Sequence, residues 1–304
     1  MKSVSILVLV LGISALHAAP DGVADTTPKS PRCSKTLKHL YRNSGDGETY
    51  LGDYSWMVAL GYQEKNNTDI VFRCGAVLIA DSWILTAAQC VTGLGNSELV
   101  KVRIGDLNLN PEIWDGANPV EGIIDEIKVH PEYQIDSLAK DIALIRLKEP
   151  IPHSSSIHPI CLLSSPEFIK DDWYPNRYGF VLGWGVFKVG GGLSSKLLEG
   201  TVKIVEPAKC IEKYAGLSTD QTVETKYSKI TIDSDVLCAG DTDQSACDGD
   251  VGGPIVFIDP KDKRHYLGGI ITGIYKCGIS YPNIFTRVAA FIPWINEVTG
   301  ENFA

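Results

Sequence analysis

Few side chains in this sequence are of the types that acid–base or nucleophilic chemistry requires. A hydroxyl nucleophile needs a neighbouring base, and imidazole serves near neutral pH because its pKa lies close to the ambient pH. The segments Leu-Thr-Ala-Ala-Gln-Cys at residues 85–90 and Gly-Asp-Val-Gly-Gly-Pro at residues 249–254 contain Gln89 and Val251 instead. The amide of Gln89 has no basic lone pair, and Val251 has no heteroatom. Neither side chain can abstract a proton or attack a carbonyl.

Histidines and cysteines are the other residues that could supply a base or bind a metal. Five histidines follow residue 19, namely His39, His130, His153, His158 and His265. None of them lies in either segment. The eight cysteines contain no C-x-x-C pair, so their spacing does not indicate a zinc site. We therefore expect no metal and no cofactor.

Short apolar runs separated by Gly, Asn, Asp and Pro begin at about Tyr54, and this punctuation is typical of β-strands. Phe291, Trp294, Ile295 and Val298 recur at helical spacing and predict one short C-terminal helix. The expected fold is therefore an all-β barrel or sandwich followed by a helix. Strands are expected at Val71–Ile79, Trp83–Ala88, Val100–Ile104, Ile142–Leu147, Gly179–Leu182, Val202–Val205 and Tyr266–Ile274.

The first residues differ in composition from the rest of the chain. A positive start and the mostly apolar run Val4 to Leu16 precede small residues near Ala19, as in a secretory signal peptide. The segment that follows is rich in Pro, Lys and Ser and is typical of a leader or linker. The predicted organisation is a signal peptide at 1–19, a leader at 20–42 and a folded domain at 43–304.

Secretion and net charge determine which cysteine chemistry and which binding partners we expect. An oxidising compartment favours disulfides, and eight cysteines can all be paired. The formal net charge of −9 disfavours nucleic acid and anionic membranes as partners. No run after residue 19 reaches the roughly 18 apolar residues that suggest a membrane span. We therefore expect a secreted, extracellular monomer.

Five segments resemble, in order along the chain, motifs of the chymotrypsin/trypsin-like serine proteases. They are the opening strand, the histidine motif, the aspartate motif, a Gly-Trp-Gly turn and the nucleophile loop, at residues 54–60, 85–90, 141–147, 183–185 and 249–254. The resemblance covers about residues 43–300 and implies two antiparallel six-stranded β-barrels with a C-terminal helix. Only Cys33 precedes this region, so we expect no clip module of the kind found in many insect relatives.

The resemblance implies that the catalytic triad of the family is degenerate here. Gln89 stands at the base position, Asp141 at the orienting position and Val251 at the nucleophile position. Loss of either the serine or the histidine costs about 10⁶-fold in turnover, which corresponds to about 8 kcal/mol of barrier. We therefore expect an inactive pseudoenzyme, in which the backbone amides of Gly249 and Val251 form a vestigial oxyanion hole.

The resemblance also implies an altered specificity pocket with Ser245 at its base. Two glycines of the family's pocket wall are replaced by Ile274 and Asn283, whose side chains should narrow or fill the pocket. The family's Ser-Trp-Gly strand reads Thr272-Gly273-Ile274, and Gly273 in place of Trp would hollow out the substrate trough. Drift after loss of the chemistry and redesign for a ligand are both open, and we favour drift.

The family's cysteine pattern implies four disulfides, Cys33–Cys161, Cys74–Cys90, Cys210–Cys238 and Cys247–Cys277. Arg42 offers a trypsin-like cleavage site at the family's activation junction, although an ordinary exposed arginine explains it equally well. Asn43, which follows it, is not the apolar residue whose new amino group would pair with Asp250. Either the chain is not cut, or cutting does not order the pocket. After a cut, Cys33 would keep the leader attached.

Two lesser sites are predicted. The sequon Asn-Asn-Thr at residues 66–68 makes Asn66 the expected glycosylation site. The loop at residues 105–115 aligns with a region where some relatives bind calcium, and Asp106, Glu112 and Asp115 are its acidic residues. We favour a solvated acidic loop over a calcium site.

The function implied is that of a secreted, catalytically inactive serine protease homologue that acts by binding proteins such as proteases, zymogens or inhibitors. It would serve as a cofactor or regulator of an extracellular proteolytic cascade, as in innate immunity, or as a venom or salivary component. One alternative is a serine-type endopeptidase with unconventional catalytic residues. Another is a decoy that occupies protease inhibitors, which the altered pocket disfavours.

Overall fold

The computed structural model describes residues 33, 47–164, 177–186, 193–219, 227, 229–240, 250–275 and 281–303. The predictions made for Arg42, Ser245, Gly249 and the Cys247–Cys277 pair lie outside these residues, as do the signal peptide and almost all of the leader. Strands dominate the described ranges and form two curled antiparallel sheets. The prediction of an all-β, two-barrel fold with a C-terminal helix is confirmed.

The first sheet is built from the opening strand of the domain and the segments that follow it. These are β1 (Met57–Glu64), β2 (Ile70–Ala80), β3 (Trp83–Thr86), β4 (Ser97–Ile104), β5 (Val120–Gly122), β6 (Ile124–Val129) and β7 (Ala143–Leu147), in the order β5-β4-β1-β2-β3-β7-β6. Ile123 alone separates β5 from β6, and β5 pairs with β4 whereas β6 pairs with β7. One bent strand therefore joins both edges of the sheet, and the seven segments amount to a six-stranded barrel.

The second sheet has six antiparallel strands and one short parallel addition. Its strands are β8 (Cys161–Leu162), β9 (Tyr178–Gly183), β10 (Leu198–Lys203), β11 (Val236–Ala239), β12 (Pro254–Ile258), β13 (His265–Gly273) and β14 (Asn283–Arg287). The antiparallel order is β10-β9-β12-β13-β14-β11, and β8 pairs with β13 in the parallel direction. The two-residue β8 is thus an extra segment beside the six strands that the family resemblance implies.

The edges of the second sheet meet just after β10. The backbone N–H of Val205 donates to the carbonyl of Cys238 (2.9 Å), and that of Gly240 donates to the carbonyl of Lys203 (2.8 Å). We call this pairing the seam of the second barrel. It links β10 to β11, so the second barrel is closed by contacts between separate strands.

The largest apolar cluster fills the first barrel and extends across to the second. Leu60, Leu78 and Leu144 are fully buried there, and Ile270 of β13 joins them. Each such side chain contributes roughly 1.5–3 kcal/mol on burial. Because one apolar cluster contains residues of both barrels, it holds them together. The candidate functional site lies between the two barrels.

Two α-helices accompany the barrels in the described ranges. The C-terminal helix α2 (Ile292–Thr299) is as predicted and packs the buried Ile295 against the large cluster. Helix α1 (Pro207–Ala215) was not predicted, although its buried residues Cys210 and Tyr214 are four positions apart and a proline begins it. Neither helix has the length and apolar character needed to cross a bilayer.

Candidate functional site

Asp141 lies two residues before the start of β7, and its side chain is completely buried. Its Oδ1 accepts a hydrogen bond from the backbone N–H of Gln89 (2.9 Å), and its Oδ2 accepts from the Gln89 amide and from the Thr272 hydroxyl. Burial raises the pKa of Asp141 to about 6, and the hydrogen bonds from Thr272 and Gln89 limit that rise. Strands from both barrels therefore meet around one carboxylate.

Gln89 lies in the 3₁₀ turn Ala88–Cys90, which the Cys74–Cys90 disulfide ties to β2. Its Nε2 donates both to the Asp141 carboxylate and to the backbone carbonyl of Thr272 (2.7 Å). Both neighbours are acceptors, so the NH₂ group and not the amide oxygen must face them. A primary amide has two N–H donors, and both are used here. Gln89 thus binds the Asp141 carboxylate by hydrogen bonds, but its amide cannot act as a general base.

Val251 lies in the loop that leads into β12. Its partly buried side chain packs against the apolar clusters of both barrels. The N–H of Gly75 donates to its carbonyl (2.9 Å), and the N–H of Gly252 donates to the carbonyl of Ile271 (2.8 Å). Gly252 has φ +83°, and a Cβ there would lie 2.3 Å from the Gly75 carbonyl oxygen. The loop backbone is therefore tightly held, although its central side chain is apolar.

Asp250, next to Val251, is a second buried carboxylate of the region. Its Oδ1 accepts a hydrogen bond from the backbone N–H of Gly185 (2.8 Å). A Cβ at Gly183 would lie 1.8 Å from the same oxygen, so only glycine fits. Trp184 anchors this turn by donating from Nε1 to the carbonyl of Leu107 (3.2 Å). The Gly-Trp-Gly turn is therefore a docking point for the Asp250 carboxylate.

The two residues predicted to line the altered specificity pocket are buried. Ile274 is 8% exposed and Asn283 is 1% exposed. The hydroxyl of Tyr227 donates to the carbonyl of Ile274 (2.6 Å) and fixes its backbone. Tyr227 was not among the predicted site residues, because no local motif distinguishes it.

Gly273, at the predicted trough, has side chains of Ile284 and Leu138 beside it. A Cβ placed on it would already lie 3.6 Å from Cδ1 of Leu138, whose side chain is only 6% exposed. Leu138 has φ 55°, in the left-handed region that leucine seldom adopts. The side chain of Leu138 thus lies beside Gly273. The sequence carries no signal for this conformation.

Three disulfides join cysteines in the described ranges. They are Cys33–Cys161, Cys74–Cys90 and Cys210–Cys238, three of the four pairs implied by the resemblance. Cys74–Cys90 fixes the turn that carries Gln89, and Cys210–Cys238 ties α1 to β11. The disulfides thus position the candidate site and the neighbouring face of the second barrel.

The sequon residue Asn66 lies in the loop between β1 and β2, and its side chain is exposed. The neighbouring Asn67 N–H donates to the carbonyl of Glu64 (3.0 Å), which closes the turn. The geometry leaves Asn66 accessible to a glycosylating enzyme.

The acidic loop after β4 turns two of its carboxylates toward its own backbone. The N–H of Asn108 donates to Asp115 (2.7 Å) and to Asp106 (3.3 Å), and Arg103 pairs with Asp106 (3.4 Å). Burial raises the pKa of Asp106, and Arg103 opposes that rise. Glu112 is exposed. Within the described ranges no three His, Cys, Asp or Glu side chains converge in a way that could hold a metal.

Comparison with known proteins places this sequence in a protease family. Residues 44–295 match the sequence model of the family described as Trypsin. The chain is 33% identical over 269 residues to venom serine protease Bi-VSP of Bombus ignitus, which covers 87% of this chain and 70% of that protein. It is 32% identical over 247 residues to a venom protease of Bombus pensylvanicus, covering 80% and 93%. Serine protease Hayan of Drosophila melanogaster is 34% identical over 259 residues, covering 83% and 38%.

Proposed function

Because the chain belongs to the trypsin family of serine proteases, we propose that it is a secreted member without catalytic activity that acts by binding other proteins. Its role is that of a cofactor or regulator of an extracellular proteolytic cascade, or of a venom or salivary component. The names of two relatives, both venom proteases, support the secreted setting. The disulfides support it too, since they form and persist in oxidising compartments.

The observation that carries the loss of activity is the position of the Gln89 amide. Its N–H groups donate to the Asp141 carboxylate and to the Thr272 carbonyl, where a general base would have to be oriented. An amide takes up no proton near neutral pH, so a nucleophile could not be deprotonated at this point. The nearby Val251 presents only methyl groups, which cannot attack a carbonyl.

The burial of the described residues at the predicted pocket supports binding by surface contacts and not by insertion of a substrate side chain. Ile274 and Asn283 are buried, and Leu138 packs beside Gly273. Burial of these side chains leaves them little surface with which to contact a peptide. The exposed loops around the cleft are therefore the expected contact sites for a partner protein.

The loss of activity is tested with a fluorophosphonate probe and a broad peptide library. We expect no heat-sensitive labelling and no cleavage by the wild-type protein, with trypsin as the positive control. The single variant Val251→Ser should also remain unlabelled, because it restores a hydroxyl without a base. Specific labelling of the wild type, abolished by heat, would defeat the proposal and favour an endopeptidase with unconventional residues.

The binding role is tested by capture of partners from the extracellular fluid of the source organism. Folded protein is immobilised beside a heat-unfolded sample, and proteins retained only by the folded sample are identified. We expect proteases, zymogens or their inhibitors. Direct titration with serpin and Kunitz-type inhibitors separates a decoy from a cascade regulator. Absence of a specific partner at micromolar concentrations would count against the proposal.

A further inference from the structure

A cavity of about 180 Å³ opens on the second barrel, between β11 and the start of α1. Its walls include the apolar side chains of Val205, Ile232, Val236 and Leu237. An apolar cavity of about 150 Å³ is large enough to hold benzene. The volume here therefore suits one ring, or an aliphatic chain of similar size.

One wall of this cavity carries a buried positive charge. Arg287, the last residue of β14, lines the cavity and is 6% exposed. Its Nη1 donates to the carbonyl of Ser234 (2.9 Å), which fixes the guanidinium at the wall. A guanidinium keeps its proton at every physiological pH, and its planar fork matches a carboxylate. A carboxylate placed in the cavity would be attracted to this side chain.

The N-terminal end of helix α1 adds to the positive electrostatic potential at the cavity. Pro207, the first residue of α1, also lines the cavity. The N-terminal end of a helix carries a partial positive charge, which favours anions nearby. The helix is a supplementary feature, because the buried guanidinium provides the full charge.

Among the described residues, Asp233 lines the cavity and Asp235 follows it closely in the chain, and both carboxylates are engaged by other groups. Asp233, an exposed residue of the rim, accepts a hydrogen bond from the backbone N–H of Asp235 (2.9 Å). Asp235 in turn pairs with Lys140. Asp233 still places a negative charge at the entrance, and this should weaken the binding of an anion. Its removal therefore offers a test with a defined sign.

We propose that this cavity binds a small organic carboxylate whose apolar body is about one ring in size, with the carboxylate toward Arg287. The side chains of Ile232 and Val236 in the cavity wall would contact the apolar part of the ligand. The site lies outside the cleft and is independent of the function proposed above. It would persist if the protein proved to be a protease.

Benzoate is the probe for this site, and the measurement is a titration of the full secreted chain followed by amide NMR. We expect saturable shifts at residues 232–238, with half-saturation on the order of 1 mM for so small a ligand. Benzyl alcohol has the ring without the charge, and acetate has the charge without the ring. Both should bind at least about tenfold more weakly, because charge-assisted bonds and ring burial each contribute. Equal affinity for benzyl alcohol, or no saturable shift with benzoate, would overturn the proposal.

Variants separate the charge from the apolar body. Ile232→Trp fills the cavity and should abolish the benzoate shifts, whereas Ile211→Trp, on the exposed side of α1, should leave them unchanged. Arg287→Met should weaken benzoate about tenfold or more, and Arg287→Lys should restore part of the loss. Asp233→Asn should tighten binding a few-fold. Wild-type affinity in Ile232→Trp, or weaker binding in Asp233→Asn, would contradict the site even if Arg287→Met failed to fold.

Discussion

Asp141 and Arg287 are both buried charged side chains, yet their surroundings differ. The Asp141 carboxylate is surrounded by donors from Gln89 and Thr272, whereas Arg287 donates to the carbonyl of Ser234 and lines a cavity. The two regions are adjacent, because the hydroxyl of Thr286, the residue before Arg287, donates to the carbonyl of Asp141 (2.8 Å). One end of β14 therefore supports both.

The difference separates a carboxylate that is fully engaged from a cation beside open volume. Hydrogen bonds within the protein satisfy the Asp141 carboxylate, and the described residues near it, Ile274 and Asn283, are buried. The cavity that Arg287 lines has open volume, and our further inference places a ligand there. Each of the following changes alters one side of this contrast.

The largest effect is expected from Gln89→Leu, which keeps the bulk of the side chain and removes both amide donors. The buried carboxylate then loses one of its donors, and the Thr272 carbonyl loses its amide partner. At pH 8, where Asp141 is ionised, we expect a loss of about 3 kcal/mol in the free energy of unfolding, measured in urea. Gln89→His keeps a donor and should lose less. A loss below about 1 kcal/mol in Gln89→Leu would show that the contact is dispensable.

Next in size is the pH dependence that Asp141 confers. Its pKa is about 6 in the folded protein and 3.8 as the ordinary value, so the folded state binds the proton more tightly. Stability from this group is therefore greatest at low pH and is lost as the pH rises through about 6. Between pH 4 and pH 8 the wild type should lose roughly 2–3 kcal/mol relative to Asp141→Asn. A difference that stays constant with pH would refute this titration.

His265 provides a check with the opposite sign. It is buried beside the rings of Trp56 (5.2 Å) and Tyr54 (6.0 Å), and burial lowers its pKa from 6.5 to about 4. The unfolded chain binds this proton first, so stability falls as the pH drops from 6.5 toward 4. His265→Phe should therefore gain about 2 kcal/mol over the wild type at pH 5 compared with pH 8. Unfolding at both pH values measures it, and a gain at pH 8 alone would contradict the assignment.

The smallest effect is expected from Arg287→Met. The change removes the guanidinium and keeps an apolar side chain of similar length. For the hydrogen bond to Ser234 we expect a loss of about 1 kcal/mol in the free energy of unfolding. Thermal unfolding measures the change. If Arg287→Met cost as much unfolding free energy as Gln89→Leu, Arg287 would be as important for stability as the Asp141 hydrogen bonds. The two regions would then not differ in this respect.

Sequence patterns predicted the fold class and the replacements of the site, because these depend on local motifs. Gln89 and Val251 were identified from short segments, and α2 from the spacing of apolar residues. The predicted strand Val202–Val205 was misplaced, since β10 ends at Lys203 and the next residues belong to the seam. Ile204 and Val205 are buried at the seam and not within a regular strand. A pattern of apolar residues does not distinguish these two kinds of burial.

The parts that could not be predicted depend on contacts between distant residues. Leu138 packs beside Gly273 only because its backbone adopts a left-handed conformation, which leucine does not signal. The cavity needs Arg287 from β14 beside Pro207 from α1, and no motif relates them. Helix α1 was overlooked because its nine residues bury only two side chains. Burial of so few residues leaves a weak helical pattern.

The two barrels differ in how they close, and this has a consequence for their motions. In the first barrel the chain itself runs from one edge to the other through Ile123, so the barrel cannot open without breaking strand pairing along β5 or β6. In the second barrel the described closure depends on backbone hydrogen bonds at Val205 and Gly240. Deuterium should therefore enter these two amides before it enters the interior strands, and their exchange rates would report transient opening of the second barrel.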